Sequence, residues 1–128
     1  MLFLNILLIS AAVVPDAQVA VNSRQQDWRA WLDQSLLDIL CPMAYTTDAG
    51  VFSQQVKAAR DYAGNVPVWA GIGAYHLPQA QTLQHIAAAR KLGTAGIILF
   101  SYDSLTAPPN STGTLSELGR AAFGAGSH

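Results

Sequence analysis

Side chains able to take part in chemistry recur behind apolar runs at a steady spacing: Asp16, then Tyr45 with Asp48, Tyr75 with His76, and Tyr102 with Asp103. The residues that lead these groups, Asp16, Tyr45, Tyr75 and Tyr102, lie 29, 30 and 27 residues apart. Thr46 and Thr47 extend the second group and Ser104 the last. Aromatic rings beside hydroxyls and carboxylates suit a pyranose, whose C–H faces stack on rings while its hydroxyls take hydrogen bonds. Glycoside hydrolysis in turn needs two carboxyl groups at the scissile bond, one held protonated and one ionised. Asp16, Asp48 and Asp103 are the carboxyl candidates. Each also has a simpler reading: Pro15-Asp16 and Thr47-Asp48-Ala49-Gly50 suit turns, and Asp103 suits a helix cap or loop acceptor.

Other chemistries find little support. His76 suits a sugar ligand or general acid, or simply a solvated loop before Leu77-Pro78. His85 falls within a helical stretch and His128 at the terminus, so no two histidines have metal-ligand spacing and no metal site is expected. Gly71-Ile72-Gly73 opens like a dinucleotide fingerprint, but His76 stands where its last glycine belongs, and no cofactor is expected. Seven Lys+Arg against eight Asp+Glu leave a formal net charge of −1, with no basic stripe for phosphates, which argues against nucleic acid as a partner. The single cysteine, Cys41, sits in the apolar run Leu40-Cys41-Pro42-Met43 and reads as core. Asn110-Ser111-Thr112 fits the glycosylation pattern.

The elements that must position these residues alternate. Apolar runs at Ile6–Val14, Leu36–Tyr45, Val66–Ile72 and Ala95–Phe100 read as strands. Between them, helices are expected from Asn22 or Ser23 through Gln34, over Val51–Ala63 with a stop at Gly64-Asn65, and over Gln79–Leu92 with a stop at Gly93. A last helix spans about Thr114 to Phe123, ahead of a frayed end at Gly124–His128. A near-constant period of about 30 residues is that of a βα repeat. Strands joined this way run parallel and bring their C-terminal ends, with Asp16, Tyr45, Tyr75 and Tyr102, to one edge, where ligands of parallel α/β folds bind. The 51% apolar and 12% charged composition suits a sheet covered on both faces.

Four βα units are half of an eight-unit barrel, and an open doubly wound sheet satisfies the same pattern. The chain has 128 residues, whereas a complete (β/α)₈ barrel takes roughly 250. Its first ten residues read as a buried strand's approach or as the core of a signal peptide, the absence of a leading Lys or Arg favouring the strand. They are too few to cross a bilayer, which takes about 20 residues, so no transmembrane segment is expected.

Taken together, Asp27-Trp28-Arg29-Ala30-Trp31, Leu37-Asp38-Ile39-Leu40-Cys41-Pro42-Met43-Ala44-Tyr45-Thr46, Trp69-Ala70-Gly71-Ile72-Gly73-Ala74-Tyr75 and Leu99-Phe100-Ser101-Tyr102-Asp103-Ser104-Leu105 resemble the bacterial family-10-like glycosyl hydrolases. The resemblance runs from about Ser10 to Leu105, with Pro-Met-Ala-Tyr its most specific piece. It implies a partial (β/α)₈ TIM barrel whose four strands are the fifth to eighth. The first four are absent from this sequence, including the fourth, which usually supplies an acid. It further implies Asp16 and Asp103 as electrostatic or acid-base participants, Met43 and Tyr45 as subsite residues, and Tyr75 and Tyr102 as parts of a sugar platform; Asp48 and His76 are expected as further substrate contacts from their place at the same edge. A carbohydrate substrate, an extracytoplasmic location and a missing N-terminal half-barrel would follow; the two unpaired edges of four parallel strands offer a homodimer as the alternative.

Overall fold

The structure, a computed structural model, describes residues 7–108 and 112–124. Most of the first ten residues, the Asn110-Ser111-Thr112 motif's first two positions and most of the tail from Gly124 to His128 therefore lie outside the described residues. The chain alternates strand and helix. β1 (Ser10–Val13) is followed by α1 (Ala17–Arg24) and α2 (Trp28–Asp33), β2 (Ile39–Pro42) by α3 (Ala49–Ala63), β3 (Trp69–Ile72) by a 3-10 turn (Ala74–His76) and α4 (Gln79–Lys91), and β4 (Gly96–Leu99) by α5 (Tyr102–Thr106) and α6 (Thr112–Phe123).

All pairing between strands is parallel. β1 pairs with β2 from Ser10↔Ile39 to Val13↔Pro42, and β3 with β4 from Trp69↔Gly96 to Ile72↔Leu99. These are two two-stranded sheets, linked by isolated parallel bridges at Leu40↔Val68 and Met43↔Gly71. Space order thus follows chain order, each strand lying beside its predecessor. Side-chain alternation sorts the residues into two faces. Ala11, Val13, Leu40, Ala44, Val68, Ala70, Ile72, Ile97 and Leu99 point into the helices and form two apolar clusters with Trp28, Phe52, Val56, Ala59, Ile86 and Ala89. The other face carries Ala12, Ile39, Cys41, Met43, Trp69, Gly71, Gly96 and Ile98, and Trp69 and Ile98 remain 39% and 36% exposed.

The starts of α1, α2 and α3 are set by carboxylates. Asp16 accepts from the Gln18 and Val19 amides at 2.9 Å each, Asp27 from Ala30 at 3.3 Å and Asp48 from Val51 at 2.9 Å, each satisfying a donor that the first turn leaves unpaired. The expected single helix from Asn22 or Ser23 to Gln34 is corrected to two. Gln25 takes a left-handed conformation (φ 54°), its amide closes onto the Ala20 carbonyl, and Asp27 starts a new helix. Trp28, in the core at 2% exposed, donates its indole N–H to the Val14 carbonyl at 2.9 Å and is anchored across β1, while Trp31 packs partly buried against the same cluster. Glycines end helices where the sequence indicated: Gly64 (φ 60°) follows α3 and Gly93 (φ 83°) follows α4, both conformations that disfavour a side chain.

The strands are shorter than their apolar runs. β2 ends at Pro42, β3 at Ile72 and β4 at Leu99, so Tyr45, Tyr75 and Tyr102 stand beyond the ladders. Asp38, directly before β2 and so at the opposite rim, accepts from the Ile9 amide at 2.7 Å and ties the approach to β1 onto β2. Arg60 closes the same rim by donating to the Gly64 and Gly93 carbonyls at 2.7 and 3.1 Å.

Candidate functional site

Three rings meet where the strands end. Tyr45 stacks on Phe100 with centroids 5.4 Å apart and 20° between the planes. Tyr75 stands edge-on to both, at 6.2 Å from Tyr45 and 6.0 Å from Phe100. His76 lies against Tyr75 at 4.1 Å. These residues come from the segments after β2, β3 and β4, so the parallel order does bring distant parts of the sequence to one mouth. Phe100 is about half exposed, as is Tyr75, and their planes differ by 85°, which leaves two ring surfaces meeting at a corner.

Glycine makes room for the rings. A Cβ on Gly71 would stand 3.0 Å from the Pro42 carbonyl oxygen, 3.2 Å from the Tyr45 ring and 3.3 Å from the Met43 Cα. On Gly73 it would meet His76 Nε2 at 2.9 Å and Tyr45 and Tyr75 at 3.1 Å. Tyr45 therefore lies flat against the bare backbone of β3, and Met43 borders it. Trp69 covers Gly96 in the same way one strand along. Burial raises the Tyr45 phenol above its ordinary pKa, with nearby Tyr75 and Cys41 acting in the same direction, so Tyr45 remains a neutral hydrogen-bond donor at neutral pH. Burial likewise raises the Cys41 thiol.

The remaining sequence candidates are placed as follows. Asp48 caps α3 by accepting from the Val51 amide through Oδ1, and its own amide donates to Thr46 Oγ1 at 3.1 Å, three residues after Tyr45. Asp103 lies in the first turn of α5, three residues past Phe100 and exposed. Tyr102 starts α5, is 64% exposed and makes no ring contact with the cluster; Phe100 occupies the position expected of it. The reason is local: the strand ends at Leu99, and the Ser101–Ser104 capping box turns the chain into a short helix that carries Tyr102 outward. Phe100 was hidden in an apolar run, and its parity with Ile98 on the open face was the signal that finds it.

Asp16 is at the same edge but faces a different space. It lines a cavity of about 410 Å³ in the helix layer with Gln18, Trp28, Arg29, Gln54 and Gln55, and none of the clustered rings reaches that cavity. Among the described residues no group of three metal-binding side chains is present, and no helix is long and apolar enough to cross a membrane. Comparison with protein-family models, curated proteins and solved structures finds no match to this chain.

Proposed function

We propose that the chain is one half of a (β/α)₈ glycosidase barrel and supplies one wall of a saccharide cleft, with hydrolysis of glycosidic bonds in a polysaccharide or cell-wall glycan as the activity of the whole. The observation that carries this reading is the convergence of Tyr45, Tyr75 and Phe100 at the C-terminal edge of four sequentially ordered parallel strands. A barrel has that strand order, whereas a doubly wound sheet reverses direction part-way. In this reading the two exposed ring faces stack on sugar units, the Tyr45 hydroxyl and His76 bond their hydroxyls, Met43 and Asp48 border the subsite, and Asp16 and Asp103 are the carboxylates offered to the chemistry. Asp16 fits least closely, because its side chain borders the helix-layer cavity. Activity on aryl glycosides and cell-wall glycans that falls at least about tenfold in Asp103→Asn or Asp16→Asn supports hydrolysis, that being the scale on which acid-base groups act. No turnover, and no binding of any oligosaccharide by the unmodified chain, rejects it.

A second reading is favoured by the open sheet face. Trp69 and Ile98 on that face, and Phe100 beyond it, are more exposed than parallel sheets usually leave such residues, and β1 and β4 each have one free edge among the described residues. Here the chain is a non-catalytic, self-associating half-barrel that binds carbohydrate without cleaving it. Sedimentation over a range of concentrations tests this: a dimer supports it, and a monomer at all concentrations removes it.

A further inference from the structure

The cavity in the helix layer lies apart from the ring corner, and the groups that border it have hydrogen-bonding capacity left over. Its volume of about 410 Å³ is that of a small-molecule site, and it is framed by the starts of α1 and α2 and by residues of α3. α1 buries only Ala20 and leaves Val19 exposed, so its own side chains do not fill the gap. Asp16 spends Oδ1 on the Gln18 and Val19 amides, and its Oδ2 has no partner among the described residues. The Arg29 guanidinium rests over the Tyr62 ring at 5.0 Å and lies 5.9 Å from the Trp28 ring, and its N–H groups donate to none of the described residues. Asp16 and Arg29 border one cavity yet form no ion pair with each other. Gln55 borders it too, and its Oε1 is buried without a hydrogen-bond partner among the described residues. Such an oxygen costs free energy until a donor reaches it, and the soft last torsion of a glutamine lets the amide turn toward the cavity.

These groups discriminate between occupants. A simple anion is attracted by Arg29 and opposed by Asp16, a simple cation meets the reverse, and an apolar molecule leaves Gln55 Oε1 unpaired. A molecule carrying both an ammonium and a carboxylate satisfies both charges, and a donor at its far end satisfies the glutamine. We propose that this cavity binds a free α-amino acid of the glutamine kind, with the ammonium on Asp16 Oδ2, the carboxylate on the Arg29 guanidinium and the side-chain amide donating to Gln55 Oε1. The site is independent of the saccharide reading, since none of the clustered rings borders it.

Titration calorimetry of the full chain tests it with three probes: L-glutamine, N-acetyl-L-glutamine, which lacks the ammonium, and L-glutamine amide, which lacks the carboxylate. L-Glutamine is expected to bind, and each analogue to bind about tenfold more weakly, the scale of one lost hydrogen bond to a charged group. Arg29→Gln, on an exposed position of α2, is expected to weaken L-glutamine and to remove its advantage over the amide while keeping its advantage over the N-acetyl form. Arg29→Lys is expected to retain both preferences in part, because the charge remains. No binding of L-glutamine, equal binding of the three probes, or an Arg29→Gln protein of unchanged circular dichroism that still favours the carboxylate overturns the proposal. The first two outcomes are read on the unmodified chain, and none of them bears on sugar binding at the mouth.

Discussion

The two faces of the sheet differ in how they are finished. Toward the helices, Leu40, Val68, Ala70 and Ile72 are fully or almost fully enclosed, and Phe52 and Ile86 reach across to them from α3 and α4. On the opposite face glycine alternates with large rings: Trp69 lies over Gly96, Tyr45 over Gly71 and Gly73, and beyond them Ile98 and Phe100 stay partly in water. Both faces are apolar. Among the described residues only the first is closed over by helices, so stability should reside there, while the second leaves Trp69, Ile98 and Phe100 partly exposed.

The largest expected effect is therefore on the covered face. Phe52→Ala removes a wholly buried ring that packs against His85 at 4.4 Å, and should lower the unfolding free energy by about 3–5 kcal/mol. Trp69→Ala removes a larger ring from the open face, where much of it is wet already, and should cost about 1–2 kcal/mol. Urea unfolding of both variants, followed by circular dichroism, measures the contrast. Equal losses would mean that the open face is packed as firmly as the covered one.

A middle-sized effect separates the mouth from the helix layer. Gly73→Ala places a methyl group against Tyr45, Tyr75 and His76 and should cost about 1–3 kcal/mol, besides spreading the ring corner. Gly119→Ala, within α6, meets no atom within 4 Å and should instead stabilise by about 0.5–1 kcal/mol, through helix propensity. The sign difference is the measurement: two glycines in one chain, one kept for close approach and the other dispensable.

Much of this arrangement could be read from the residues. The 29-, 30- and 27-residue intervals foretold that Tyr45 and Tyr75 would be neighbours, because parallel strands of one sheet put equivalent positions side by side. Helix stops at Gly64 and Gly93 followed from their lack of a Cβ. What escaped was decided by tertiary contacts. The break at Gln25 depends on Trp28 reaching Val14 and on Gln26 Oε1 receiving the Val14 amide at 3.0 Å, and nothing in the helical period of 22–34 signals it. Tyr102 was displaced by Phe100 because strand β4 stops one residue before Phe100, and an apolar run does not mark where a ladder ends.

Smaller still is the effect expected at the carboxylates. Asp48→Ala should cost about 1 kcal/mol by leaving the Val51 amide without its acceptor, whereas Asp48→Asn should cost a few tenths at most, since both residues cap well. Thermal unfolding distinguishes them. If the two variants lose the same amount, the charge of Asp48 and not its cap holds the start of α3.

The smallest change gives the finest reading of the two faces. Ile98→Thr keeps the branched shape on β4 and exchanges a methylene-bearing arm for a hydroxyl, at a position 36% exposed. With the open face in water the hydroxyl stays solvated, and the loss should remain within about 0.5 kcal/mol, the ordinary range for surface positions. If the face closes against a second copy of the chain, the same hydroxyl is buried without a partner and the loss should rise to about 1–3 kcal/mol, the cost seen in proteins for an unpaired polar group. Protein concentration tells these cases apart. In a self-associating chain the penalty should grow with concentration as the dimer fills, because only the associated form buries Ile98. In a chain that keeps this face open, it should be small and the same at every concentration.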